Sequence, residues 1–260
     1  MLPKNHIEMT LTAGCPMMCS YCPQTNYIKG FKAINHTKKN FMSFDDYQVI
    51  LSNVDHHVPH VYFTGFTEPI GHKEWYKFVE YTKQQNYKVT FNTTFYAATK
   101  ETVDTLIDLD VDVEVHITDS KIEIPEEIYV YFAERYKRRA MPIFNVFTEK
   151  GASRIPKNIQ AFGHRPNSRA DNLDHIPRAV YNGPVRCQEN RFFSNVVMPN
   201  GDVSVCCSDF SVKHVLGNLL TTKLKEIHKS EAIKQFLRKM NEGDPTFICN
   251  HCHYATPVAK

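Results

Sequence analysis

The sequence predicts an α/β fold: parallel strands joined by crossover helices, then a small C-terminal domain of one β-hairpin and one helix. Three observations lead there. Strand-like and helix-like stretches alternate at least five times between residues 7 and 147, the rhythm of a parallel sheet and its crossovers. That rhythm fades between about 149 and 186, where prolines stand at 156, 166, 177 and 184. The 260 residues, 42% of them hydrophobic, can bury one large core plus an appendix, divided here as 1–185 and 186–260.

In chain order, Ile7, Met9 and Leu11 alternate with polar residues and predict a first strand over 7–12. A cysteine-bearing loop and a Lys-rich loop follow. Ser43, with Asp46 three residues on, opens a helix whose apolar face is Phe44, Tyr47, Ile50, Leu51 and Val54. A second strand near 60–64 ends in Gly65-Phe66-Thr67-Glu68-Pro69. Helical periodicity over 72–85 carries the single Trp75, a core residue, and 88–91 reads as a third strand. A helix over 100–109, a strand over 111–117, a helix over 125–139 with proline in its first turn and a strand over 141–147 complete the alternation. Later, 192–198 and 203–206 predict two strands around the turn at Asn200-Gly201, and 222–242 an amphipathic helix stopped by Gly243 and Pro245.

The eight cysteines fall into two sets. Cys15, Cys19 and Cys22 stand at a CxxxCxxC spacing with Tyr21 just before the third thiol. Three thiolates on one loop can hold three irons of a 4Fe-4S cluster and leave the fourth open to a small ligand. A zinc knuckle is the alternative, although zinc sites usually pair thiols more closely and need a fourth donor. The second set is Cys187, Cys206, Cys249 and Cys252, with Gly201 between the first two. Four thiolates suit a fully ligated 4Fe-4S cluster or a structural zinc. Cys207 is left over: neighbouring residues on a strand point to opposite faces, so it is a structural thiol or faces another space.

The first motif resembles the signature of radical S-adenosylmethionine (SAM) enzymes, and the second set resembles the twitch domain, the shortened relative of SPASM. The nearest likeness is to twitch-domain aminocyclitol (2-deoxy-scyllo-inosamine) dehydrogenases. The resemblance implies an open, partial parallel β/α barrel, SAM, and two 4Fe-4S clusters, one catalytic and one auxiliary. It implies SAM contacts at Tyr21 and at Gly65, Phe66, Thr67 and Glu68, a segment similar to GfGEP in which Thr67 replaces a glycine. Asn92 in Asn-Thr-Thr stands where Thr-Asn-Gly is frequent, and His116 and Thr118 end the strand analogous to one closing in Ser-Leu-Asp-Gly. Arg169, in a stretch similar to Asn-Arg-Ala/Gly-Gly, would bind a SAM or substrate oxygen; a plain surface arginine is the alternative. Cys207 would donate a hydrogen atom if the chain were an epimerase.

Charge and hydropathy set the remaining limits. A formal charge of +3, from 31 basic and 28 acidic residues, does not call for nucleic acid. No apolar run spans a bilayer and the N-terminus lacks a signal-peptide core, so the expectation is a cytoplasmic protein without membrane contact. Lys29, Lys32, Lys38 and Lys39 form a basic patch, either a solvated loop or a rim for an acidic donor such as flavodoxin or ferredoxin. The resulting expectation is reductive cleavage of SAM to a 5'-deoxyadenosyl radical that oxidises a hydroxyl of a small sugar- or cyclitol-like substrate, the auxiliary cluster taking an electron. Peptide epimerisation or cross-linking is the alternative. The motif begins at residue 15, which leaves little room before it for a peptide-recognition domain. A non-catalytic metal-binding module is the third reading.

Overall fold

The computed structural model of the protein describes residues 6–138, 142–188 and 190–258. The first five residues, the expected helix end at Arg139 and the expected strand start at Met141 lie outside the described residues. The chain runs β1 (His6–Met9), α1 (Gln24–Ile34), α2 (Phe44–Val54), β2 (His60–Phe63), α3 (Trp75–Gln84), β3 (Lys88–Thr93), α4 (Lys100–Asp108), β4 (Asp112–Ile117), α5 (Glu126–Arg135), β5 (Ile143–Val146), α6 (Glu149–Ala152) and β6 (Phe162–Gly163). There follow β7 (Val185–Cys187), β8 (Asn195–Val197), β9 (Asp202–Ser204), β10 (Val215–Asn218), α7 (Leu224–Ile227), α8 (Glu231–Glu242) and β11 (Ala255–Pro257).

One sheet carries nine strands in the order β10-β9-β8-β1-β2-β3-β4-β5-β6. From β8 through β6 every pairing is parallel, while β8, β9 and β10 pair antiparallel. The sheet stays open, with β6 at one edge and β10 at the other. Ile7 lies opposite Asn195 and Met9 opposite Val197, so the late hairpin continues the sheet from its first strand. A separate two-stranded sheet joins β7 to β11 and sets Cys187 opposite Ala255.

The two faces of the parallel sheet differ because side chains alternate with period 2. Ile7, Met9, Val61, Phe63, Val89, Phe91, Val113, Val115 and Phe144 are buried together in the main core. The intervening residues are Glu8, Tyr62, Thr90, Asn92, Glu114, His116 and Asn145. Register brings Glu8 opposite Tyr62, Asn92 opposite Glu114, and His116 opposite Asn145. The sheet thus presents a polar face beneath the C-terminal strand ends, where open α/β sheets gather ligands.

Local chemistry explains most element boundaries. The Ser43 side chain accepts from the Asp46 amide and opens α2 as expected; Tyr47, Ile50, Leu51 and Val54 are buried. Three expectations are corrected. Lys29 and Lys32 lie on α1, an unexpected helix whose Tyr27 and Phe31 are buried one turn apart. The helix expected over 222–242 breaks into α7 and α8, because Ser230 accepts from the Ile233 amide and starts a new helix. Cys206 and Cys207 lie beyond β9, which ends at Ser204, so strand alternation does not decide where their thiols point. Gly243 closes α8 in the left-handed conformation, φ 73°. Among the described residues no helix is long and apolar enough to cross a membrane.

Candidate functional site

The loop after β1 folds its thiols inward. Met17, Cys19 and Tyr21 are buried together, with Cys15 and Cys22 packed against them. Gln24, the first residue of α1, accepts from the Cys15 amide at 3.1 Å and donates to the Cys22 sulfur at 3.5 Å and to the Phe66 carbonyl. One amide therefore ties both ends of the cysteine loop to the loop after β2. The far side is held by Asp119, which accepts from the Ser20 amide at 3.0 Å and from its hydroxyl, and by Ser120, which donates to the Met17 carbonyl.

The loop after β2 is fastened to the same place. Gly65 has φ 56°, and a Cβ there would lie 2.0 Å from Thr10 Oγ1, so conformation and space both require glycine. Phe66 donates its amide to Thr10 Oγ1 at 3.0 Å, and Thr67 donates its hydroxyl to the Thr12 carbonyl at 3.2 Å. The threonine that replaces a glycine thus buttresses the stem of the cysteine loop. The buried Glu68 carboxylate accepts from the Ile70 amide (3.2 Å), Thr93 Oγ1 (2.8 Å), the Thr94 amide (2.6 Å) and Thr94 Oγ1 (2.7 Å). Desolvation raises its pKa and these donors oppose the rise.

Burial pushes the Cys15 and Cys19 thiols up to about 12, with Glu68 adding to the effect at Cys15 and Cys22 at Cys19. Cys22 is raised by burial, against Gln24 and the nearby Arg169 charge, which lower it. Three thiolates so placed need a cationic centre to balance them. Among the described residues no group of three His, Cys, Asp or Glu is placed to hold a single metal ion. Thiols that hold a 4Fe-4S cluster bind separate irons, so this donor set fits the cluster.

Around the loop stand the remaining candidates. Tyr21 stacks on Phe147 at 4.8 Å; Phe147 in turn stacks on His164 at 5.1 Å and meets His116 edge-on at 5.5 Å. Burial lowers the His116 imidazole to about 4, aided by the Arg169 and His164 charges. The Thr118 side chain opposes the rise at the Cys19 thiol, and its carbonyl accepts from Arg154 at 2.8 Å. The Asn92 Oδ1 is buried and, among the described residues, has no hydrogen-bond partner, an acceptor whose desolvation a ligand donor would offset.

Arg169 begins three successive left-handed residues, with φ 48°, 53° and 69° through Asp171, a strained run anchored by Asn172 to the Arg169 and Ser208 carbonyls. Its guanidinium lies 6.0 Å from the Phe210 ring and its charge acts on Cys22, His116 and Cys207. It thus lies near Cys22 of the first set and near Cys207, which belongs to neither set.

Cys187, Cys206, Cys249 and Cys252 line one apolar cavity with Arg191 and Tyr254. Burial raises Cys206, Cys249 and Cys252, and neighbouring thiols add to each rise. Cys207 packs instead against the cluster of Tyr27, Phe66 and Phe210, and its sulfur accepts from Arg191 Nη1 at 3.1 Å. Burial lifts its thiol to about 11. Arg191 also stacks on Tyr254 at 4.1 Å.

A polar cavity of ≈ 130 Å³ is lined by Tyr21 from the first loop and by Tyr254, which also borders the cavity of the second cysteine set, with Phe147, His164, Arg165 and Arg169. A larger cavity, ≈ 450 Å³, lies beside Thr118, Tyr129 and Arg154. Sequence reasoning missed Gln24, Arg191, His164 and Tyr254. Only Gln24 carried a local signal, two residues after the last cysteine of the motif.

Comparison with known proteins matches residues 187–253 to the SPASM family, an iron-sulfur cluster-binding domain. No protein of curated function matches the sequence. Among solved structures, BtrN in complex with AdoMet and 2-DOIA is 18% identical, with TM-score 0.64 over 98% of this chain and 93% of BtrN. The anSMEcpe structure with bound AdoMet is 14% identical, with TM-score 0.56 over 96% of this chain and 83% of that one. Streptococcus suis SuiB bound to its precursor peptide SuiA is 12% identical, with TM-score 0.52 over 95% and 70%. The fold is the open barrel-like fold of these structures, with a SPASM-type segment at its C-terminal end.

Proposed function

We propose that this chain is a radical SAM enzyme that oxidises a hydroxyl of a small sugar- or cyclitol-like substrate. The observation that carries the proposal is one polar cavity whose wall holds Tyr21, from the first cysteine loop, and Tyr254, which also lines the cavity of the second cysteine set. Cys15, Cys19 and Cys22 would hold the catalytic cluster and Cys187, Cys206, Cys249 and Cys252 the auxiliary one. Loaded with its clusters and SAM, such a site supplies a 5'-deoxyadenosyl radical for hydrogen abstraction and an acceptor for the second electron. BtrN, which binds AdoMet and 2-DOIA, supports the small-substrate reading.

The chain's own residues bind and orient. Gln24 keeps Cys15 and Cys22 in register with Phe66, and Glu68 clamps the ends of β2 and β3 together through Thr93 and Thr94. Asn92 offers a buried acceptor to a ligand hydroxyl or amine, and Arg169 offers a cation to a ligand oxygen. Tyr21, Phe147 and Tyr254 give the cavity rings that exclude water from the reacting centre.

A second reading is peptide modification, supported by the likeness to SuiB and by the Cys207 thiol, kept protonated near neutral pH by burial. Cys207→Ala separates the two. Product formation lost while 5'-deoxyadenosine still forms favours a hydrogen donor; unchanged product and rate remove that role.

The test of the main proposal is SAM turnover by the reconstituted protein under reducing, anaerobic conditions. 5'-Deoxyadenosine is the expected product. Its absence with several reductants, from protein with full iron content, would overturn both readings.

A further inference from the structure

The four thiols of the C-terminal set share their cavity with Phe192, Val205, Phe236 and Ala255. Apolar walls of this kind disfavour each added negative charge, so a cluster held there would resist reduction. One cation stands against this. Among the described residues lining the cavity, Arg191 alone carries a formal charge once the thiols are set apart.

Local structure brings Arg191 to the cavity and holds it. Asn190 turns the chain in the left-handed conformation, φ 49°, a shape that asparagine tolerates, and residue 191 folds back towards the end of β7. The Arg191 amide then donates to Cys187 Sγ at 3.4 Å and its Nη1 to Cys207 Sγ at 3.1 Å. Its guanidinium lies 4.1 Å from the centre of the Tyr254 ring, and its charge reaches Cys252. Asp209 acts on Cys249 in the opposite sense, so the cation also offsets a buried acid. Tyr254 borders both this cavity and the polar cavity beside Tyr21, which places the Arg191–Tyr254 pair in the wall towards the proposed substrate.

We propose that Arg191 sets the reduction potential of the cluster held by Cys187, Cys206, Cys249 and Cys252, raising it so that this site accepts the electron released at the polar cavity. The inference rests on the two-cluster enzymatic reading and adds the residue that tunes the second cluster. A cation stabilises the state with one more negative charge, and a donor to a thiolate sulfur acts in the same direction. Arg191 supplies both. The electron comes from the substrate radical left by hydrogen abstraction: its O–H bond breaks, the proton goes to water, the C–O bond becomes C=O, and one electron enters the four-thiol site. Arg191 keeps its own proton and touches no reacting atom, so it is a positioning residue that acts through the thiols.

The test is a potentiometric titration followed by EPR, on the full chain with both clusters loaded, for wild type, Arg191→Met, Arg191→Gln and Arg191→Lys. The signal that added SAM leaves unchanged reports the C-terminal site. At a fixed potential the two neutral variants should show a reduced-to-oxidised ratio about tenfold or more below wild type, a midpoint lower by about 59 mV or more. Arg191→Lys keeps the charge and should stay within about threefold of wild type. Iron should remain at about eight per chain throughout, and should one neutral variant lose iron, the other carries the comparison. Equal midpoints in wild type and a fully loaded neutral variant, a lysine variant shifted as far as the methionine one, or iron lost from the C-terminal site in both neutral variants overturns this proposal and leaves the two-cluster reading standing. A wild type with about four irons, one zinc and a single EPR signal overturns both.

Discussion

Glu68, just beyond β2, accepts both the amide (2.6 Å) and the hydroxyl (2.7 Å) of Thr94, just beyond β3. With Thr93 and Ile70 the buried carboxylate has four donors and no remaining lone pair to spare. Glu68 therefore joins two loops that border the first thiol set. Glu68→Gln should cost about 2 kcal/mol of folding stability, since it replaces charge-assisted bonds and sets an amide NH2 against donors. Urea denaturation of the cluster-free chain checks this; an unchanged midpoint would show that the clamp contributes little.

Gln24 joins Cys15, Cys22 and Phe66 through one side-chain amide. Gln24→Leu keeps the size but removes all three bonds, so iron at the first site should be lost selectively while the C-terminal site keeps its content. Iron analysis together with EPR distinguishes the sites. Equal loss from both would point to general unfolding.

The hydroxyl of Tyr27 is buried among Phe31, Phe66 and Phe210 and, among the described residues, has no hydrogen-bond partner. Tyr27→Phe should leave stability unchanged or raise it by about 1 kcal/mol, because it removes an unpaired polar group without opening a cavity. A clear loss in the urea midpoint would reveal a partner for that hydroxyl.

His228 forms a proton-dependent clasp between α7–α8 and the loop after α2. Its Nε2 lies 2.6 Å from Asn195 Oδ1, and the Asn195 amide nitrogen donates to the Phe192 and Val205 carbonyls, so Oδ1 must accept and Nε2 must donate. Its Nδ1 then accepts from His57 Nε2 at 3.1 Å. Burial and His57 lower His228 to about 4. Between about 6.5 and about 4 the unfolded chain binds this proton and the folded chain does not, so the clasp's contribution is complete above that window and declines as pH falls through it. Stability measured against pH should be flatter in His228→Gln; an identical profile removes His228 from the acid sensitivity.

The parts of this molecule legible in the sequence are those with local causes. The CxxxCxxC spacing lies on one loop, the Ser43 cap acts three residues away, and Val113, Val115 and Ile117 alternate within one strand. What escaped depends on distance or on competition. Gln24 meets Phe66, and Glu68 meets Thr94, only after the sheet has formed. β8 joins β1 in parallel from far along the chain, which no strand pattern announces. The break at Ser230 had a local signal, but the apolar spacing on either side hid it. Cys207 could not be assigned from alternation because β9 had already ended.

The central claim is that seven thiols form two separate 4Fe-4S sites. The measurement that tests it most directly is iron, sulfide and zinc per chain after anaerobic reconstitution, for wild type and for the variant with Cys15, Cys19 and Cys22 all replaced by Ala. Two clusters require about eight irons in the wild type and about four in the variant. About four irons falling to none, with one zinc retained, would contradict it and make the C-terminal site structural.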